Sequence, residues 1–243
     1  MMRKWKFGLC LMVLPYCVPV AVADQAASGA TAASPFAVNS PGAESIAEAI
    51  KAGTATPEQY FDAADKADKA DDMIAATNLY RLAAEGGHPI AQARIATILY
   101  ESGYIGRALQ FYRKSAEQGN AEGMYGAGLI LMGGDIVEKD VVEARKWFVR
   151  AAEKGHVLSL QKLVEAYLHG GLELNQDARS GPEALSWIKR AADADYVPAV
   201  EALANAYRSG QYGLAADPKQ ADDWDAKAKK LKGIKEVIKK KKR

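Results

Sequence analysis

Small and bulky apolar residues recur three and four positions apart along most of the chain, the spacing that loads one face of an α-helix. That pattern is itself repeated. Four strings align without gaps: NLYRLAAEGG from Asn78, QFYRKSAEQG from Gln110, KWFVRAAEKG from Lys146 and SWIKRAADAD from Ser186. They share an alanine column (Ala76, Ala108, Ala144, Ala184) and, three residues later, a bulky column (Leu79, Phe111, Trp147, Trp187). A further small column follows at Ala83, Ser115, Ala151 and Ala191. The strings close on Gly87, Gly119, Gly155 and, in the last copy, Asp195. A helix ending there needs a left-handed residue, which glycine adopts without strain and aspartate tolerates. These are the first-type helices.

Eight residues after each cap lies a second-type helix with its own columns. They are Ile95, Ala127, Leu163 and Leu203; then Ala96, Gly128, Val164 and Ala204; then Leu99, Leu131, Tyr167 and Tyr207. Small residues beside bulky ones let two helices approach and interlock. The spacing predicts helical hairpins that return every 32, 36 and 40 residues, the variation lying in the turn after the second-type helix. In the second copy Ala127 and Leu131 replace a leucine and a tyrosine, which predicts looser packing. Upstream, Glu44–Ala52 reads as a short leading helix and Pro57–Lys69 as an unpaired second-type helix. Residues 43–75 are therefore assigned to N-terminal capping helices and 76–226 to the repeat domain. A fifth first-type helix opens with Ala221 and Trp224, then gives way to lysine.

The string A-x-x-W-F-x-x-A-A-E-x-G, followed by L-A-x-x-Y-x-x-G, resembles the Sel-one-like repeat, a variable-length relative of the tetratricopeptide repeat. The resemblance runs from Ala75 to Trp224 and is strongest in the third and fourth copies; the first copy lacks an insertion and is closer to a plain tetratricopeptide unit. It implies an all-α, right-handed α-superhelix (a solenoid) of about four to five helix-turn-helix repeats, each packed on its neighbours. It further implies a module that binds proteins or peptides, often in bacterial envelope, signalling or host-interaction roles, and it implies no reaction. In such a superhelix the second-type helices line the concave side. The implied groove comprises Thr97, Tyr100, Tyr125, Leu129, Met132, Glu165, Leu168, Asn205 and Arg208, with Ala93, Gln161 and Glu201 beside them, and turns from apolar to charged along the row.

Composition supports helix: 46 residues are alanine, only 8% are aromatic and nine are proline, which argues against an all-β sandwich. At 49% apolar the chain is too hydrophobic to be disordered throughout. The net charge of +2 conceals a division. Lys227–Arg243 holds ten basic residues and one acid, Glu236; Arg3, Lys4 and Lys6 lie near the start; Asp24–Ala226 is left at −10. Those first basic residues, the apolar run Phe7–Val20 and the Ala21-Val22-Ala23 site predict a cleaved signal peptide over 1–23 and a periplasmic or secreted protein. Cys10 and Cys17 fall inside this leader, so the mature chain carries no thiol; a lipoprotein anchored at Cys17 is the alternative, although Tyr16 before the cysteine departs from the usual lipobox. Residues 24–42, built of Ala, Ser, Thr, Gly and Pro with almost no charge, read as a disordered linker.

No zinc-protease, phosphate-loop or serine-hydrolase motif is present, and no catalytic, cofactor or metal residue is assigned. His88 and His156 sit directly after cap glycines and read as turn residues. Asp62, Asp65, Asp68, Asp71 and Asp72, interleaved with Lys66 and Lys69, read as a solvated helix face rather than a calcium loop. The expected function is a non-enzymatic protein-interaction module of the bacterial envelope. The alternatives are a polyanion or membrane-surface binder acting through Lys239, Lys240, Lys241, Lys242 and Arg243, where Ile234, Val237 and Ile238 keep helical spacing, and a cell-wall hydrolase. Nucleic acid is not an expected partner, because aromatics do not alternate with the basic residues.

Overall fold

Most helices begin on a side chain that satisfies their own free amides. Thr56 accepts from the Gln59 amide at 3.3 Å while the Gln59 side chain accepts from the Thr56 amide at 2.8 Å, a reciprocal capping box. Asp72, Asn120, Asp140 and Asn175 each accept from the amide three residues on. The computed structural model describes residues 43–241 other than residue 135, with side chains from 48 to 234. The leader and linker readings, 1–23 and 24–42, lie outside the described residues, as do the side chains of the candidates Lys239–Arg243.

All twelve elements among the described residues are helices: α1 (Ala43–Ala52), α2 (Pro57–Lys69), α3 (Met73–Glu85), α4 (Pro89–Glu101), α5 (Ile105–Glu117), α6 (Ala121–Gly133), α7 (Val141–Glu153), α8 (Val157–His169), α9 (Gln176–Ser180), α10 (Pro182–Asp193), α11 (Val197–Ser209) and α12 (Pro218–Lys241). They pack in consecutive repeats, the α-solenoid that the resemblance implies. The first-type helices are α3, α5, α7, α10 and the opening of α12. The second-type helices are α4, α6, α8 and α11, joined by α2, whose buried Ala63, Ala64 and Ala67 continue the second-type columns.

Every turn from a first-type to a second-type helix is built alike. In the first, the Gly87 amide donates to the Ala84 carbonyl at 3.1 Å and the His88 amide to the Ala83 carbonyl at 2.9 Å. This is a Schellman closure around a residue with φ of +101°. The same pair of bonds recurs around Gly119 (φ +87°), Gly155 (φ +84°) and Asp195 (φ +60°). The residue after each left-handed position also opens the next helix: His88, Asn120, His156 and Tyr196 are the N-caps of α4, α6, α8 and α11. One residue closes a helix and starts another, so this turn has no slack. The opposite turns vary, and the longest carries α9.

The closest pairings run across the variable turns: α2 with α3, α4 with α5, α6 with α7, and α11 with α12. Pro57–Lys69 is therefore not unpaired, as the spacing suggested; α2 packs on α3 as the leading half of the first hairpin. The alanine and leucine columns are buried as expected. A further column, one residue past the bulky one, goes deeper: Tyr80, Tyr112, Phe148 and Ile188. Phe148 is wholly buried, whereas Trp147 keeps 9% exposure, donates to Glu143 at 2.9 Å and lies under the Arg150 guanidinium at 4.7 Å. The tryptophans roof the core and the next residue fills it.

The second copy is not loosely packed. Along α6, Gly126 and Gly128 leave slots that the rings of Tyr112 and Phe148 occupy, so close that a Cβ at Gly126 would lie 2.3 Å from the Tyr112 ring. The volume missing from Ala127 and Leu131 is supplied by neighbouring helices. Gly126→Ala is expected to destabilise by about 1–3 kcal/mol through overpacking, despite its better helix propensity. Gly106→Ala, facing open space in α5, is expected to stabilise by about 0.4–1 kcal/mol. Equilibrium denaturation of the two variants checks the opposite signs.

Candidate partner-binding groove

At the leading end of the row, α3, α4 and the start of α6 enclose a cavity of 510 Å³. Its floor includes Tyr80, whose hydroxyl donates to Asp65 at 2.7 Å; burial, then this bond, pushes the phenol up to about 12. Its apolar walls are Met73, Ile90 and Ile98, which remain 60%, 45% and 37% exposed. Arg94 and Glu122 stand among them as opposite charges. Large aliphatic side chains left in water around a concavity are what an interaction surface needs and a monomer core does not. Farther along, Met132, Lys162, Glu165 and His169 line a cavity of 290 Å³. There Lys162 pairs with Glu165 at 3.0 Å, and Glu165 also accepts from the Tyr196 hydroxyl at 3.2 Å.

The expected groove residues divide between these places. Thr97 lines the first cavity, its hydroxyl donating to the Ala93 carbonyl at 3.0 Å and sharing a 2.9 Å bond with Tyr112. Met132 and Glu165 line the second. Leu168 lines a separate cleft with Arg179 and Tyr212. Tyr100 is exposed but borders none of these. Tyr125 lies against Phe148 and His156, with ring centres 5.9 and 4.8 Å away, and Leu129 packs half-buried on the core. Asn205 and Arg208 bond to each other at 2.8 Å, and Arg208 binds Asp225 on α12. The positions two before, two after and five after the leucine column thus turn partly toward the following first-type helix.

Met73, Ile90, Arg94 and Ile98 escaped the sequence reading. On α4 the open face falls five and one residues before the leucine column and two and three after it. A signal existed at Ile90, because Glu58 and Glu122 occupy that register in α2 and α6. These glutamates belong to a second repeated device. His88 Nδ1 accepts from the Ala91 amide at 3.2 Å, its Nε2 meets Glu58 at 2.9 Å, and its ring stacks on Phe61 at 4.1 Å. His156 does likewise with the Ser159 amide at 3.2 Å, Glu122 at 3.1 Å and Tyr125. The acidic run on α2 divides its work: Asp65 holds Tyr80 and Asp72 caps α3. No group of three or more metal-type side chains assembles among the described residues.

The Sel1 repeat pattern matches four stretches, residues 65–88, 89–120, 121–156 and 165–196, together just over half of the chain. The chain belongs to the Sel1 repeat family. The matched units open on a second-type helix and close on a first-type one, the same frame as the closest helix pairings. No curated protein matches the chain at a significant level. Among solved structures it is similar to a protective antigen present in uropathogenic Escherichia coli strains, which displays an SLR fold. Identity is 24%, the TM-score is 0.63, and the match covers 77% of this chain but 41% of that one, so this chain spans less than half of the antigen. It is also similar to a Sel1 repeat protein from Oxalobacter formigenes, with 26% identity, a TM-score of 0.57, and 76% and 74% of the two chains covered. Sel1 repeats generally serve as protein–protein interaction modules and are typically non-catalytic.

The Glu122 carboxyl is held below the usual carboxylate range, first by its hydrogen bond to His156 and against the cost of burial. A depressed folded-state value means that the contact stabilises above the ordinary carboxylate range and is lost as the pH falls through the folded value. Glu122 is 56% exposed, so Glu122→Gln is expected to cost under about 1 kcal/mol at neutral pH. The difference from the native chain should shrink below about pH 4, as thermal melts across a pH series would show.

Proposed function

We propose that the protein is a non-catalytic adaptor of the bacterial cell envelope that holds a protein or peptide segment against the second-type face of its repeats. The observation that carries this reading is the cavity at the leading end, with Met73, Ile90 and Ile98 exposed around Arg94 and Glu122. Burying such aliphatic side chains under a partner gains roughly 25 cal/mol for each Å² removed from water, and the two charges fix which segment fits. The leader-like start of the chain supports an envelope location. The lysine-rich C-terminus is a second contact region in this reading, directed at an anionic surface.

The test is site-specific photo-crosslinking in cells of the source organism. A crosslinker at Ile98 should yield a discrete adduct that disappears when Ile90→Asp is introduced, and the isolated partner should bind that variant at least about tenfold more weakly. A crosslinker at Val149, on α7 away from the cavity, should not yield that adduct. Equal adducts from both positions would contradict the groove reading. Mass spectrometry of the exported chain should find it beginning near Asp24; a retained leader or a lipid on Cys17 would make it an anchored protein.

A further inference from the structure

The start of α12 repeats the alanine, tryptophan and cation positions of a first-type helix. Ala221 and Ala228 are buried where Ala184 and Ala191 are buried in α10. Lys227 lies 5.3 Å from the Trp224 ring centre and donates to the Ala192 carbonyl at 2.7 Å. Arg190 holds the same station, 4.7 Å from the Trp187 centre and donating to the Ala152 carbonyl at 3.3 Å. At the position of Tyr80, Tyr112, Phe148 and Ile188, however, α12 carries Asp225, neutralised by Arg208. A carboxylate in the deepest column ends the apolar surface on which another hairpin would pack, which is how a solenoid finishes.

The helix does not finish with it. Lys232 stands in the register of Gly87, Gly119, Gly155 and Asp195, the left-handed residues that stop the other first-type helices. Lacking that stop, α12 continues to Lys241, about 15 Å further at 1.5 Å per residue. Lys229 and Lys230 are exposed, Lys232 still binds Glu201 on α11 as the helix leaves the row, and Ile234 beyond it is 48% exposed. In the sequence Val237 and Ile238 extend the apolar spacing, and residues 229–243 hold nine basic residues against Glu236.

We propose that this overrun of α12 is an arm that lies on an anionic lipid bilayer and tethers the repeats to it, a deepening of the tail's role in the reading above. A soluble polyanion rewards positive charge alone. A bilayer rewards charge and apolar side chains together; exposed Lys229, Lys230 and Ile234 offer both, and the sequence continues the pattern at Val237 and Ile238. The body at −10 is repelled from the same surface, so the arm makes the contact and the groove stays free.

The test is co-sedimentation of the full mature chain with vesicles containing phosphatidylglycerol, and with vesicles of phosphatidylcholine alone, across a salt series. Two variants are compared. One replaces Lys239, Lys240, Lys241 and Lys242 by Gln, and the other is Ile234→Asp; circular dichroism verifies that the repeats remain folded. The expected result is binding to the anionic vesicles only, weakened by salt and reduced at least about tenfold in each variant. Unchanged binding by Ile234→Asp, with equal retention on inorganic polyphosphate, would overturn the bilayer proposal while leaving a polyanion-binding tail. Binding by neither vesicles nor polyphosphate would overturn both. Lysine-dependent self-association without vesicles would assign the arm to a second copy of the chain and also overturn the proposal.

Discussion

The structure depends on a turn that leaves the chain no freedom. Four times a first-type helix closes around a left-handed residue, and the residue that completes the closure caps the next helix. Because one residue has both duties, backbone hydrogen bonds fix the path of the chain from one helix to the next. That allows the core to change composition from copy to copy. Leucine, phenylalanine and tryptophan occupy the bulky column in turn, and two Ala and four Gly lie within α6, without the row losing its repeat. Ser115 fits an alanine column because its hydroxyl finds a partner there, donating to the Pro89 carbonyl at 2.7 Å.

Variation is confined to the opposite turns: the first two close around Asp71 and Gly103 as the fixed turns do, and the later ones are longer. In the longest, Arg179 donates to the Tyr167 and Leu168 carbonyls at the end of α8, and Arg145 reaches from α7 to the Leu172 carbonyl at 2.9 Å. Both guanidiniums satisfy carbonyls that would otherwise lack partners. The cations over Trp147, Trp187 and Trp224 do related work, since two of them also reach the last turn of the preceding first-type helix. Neighbouring repeats are thus joined by packing and by the completion of each other's helix ends.

Helix positions and caps were legible in the sequence because they rest on local rules: three- and four-residue spacing, and glycine at positive φ. The Tyr80 column was not, because on a helix it differs from the bulky column by one residue, and both are apolar. The open face of α4 at Ile90, Arg94 and Ile98 was hidden for a similar reason. Choosing which flank of the leucine column meets solvent requires the direction of the neighbouring helix, and outside α8 and α10 the closest pairings run across the variable turn rather than the fixed one. Phe61 under His88 and Tyr125 under His156 were unreadable for another reason: each pair joins helices of different repeats, with a complete helix between them in the chain. Arg208, a groove residue by register, also binds Asp225 on α12 and so takes part in the contact with the last helix.

Hydrogen exchange on Gly155→Ala measures the central claim most directly. A methyl group there meets no atom within 4 Å, so the substitution tests only the left-handed backbone. A turn that fixes the path of the chain should lose about 1–2 kcal/mol, with protection falling first in the last turn of α7 and the first turn of α8 while α3 and α4 keep theirs. Unchanged protection at that turn, or a uniform loss across all repeats, would contradict a row of locally closed hairpins.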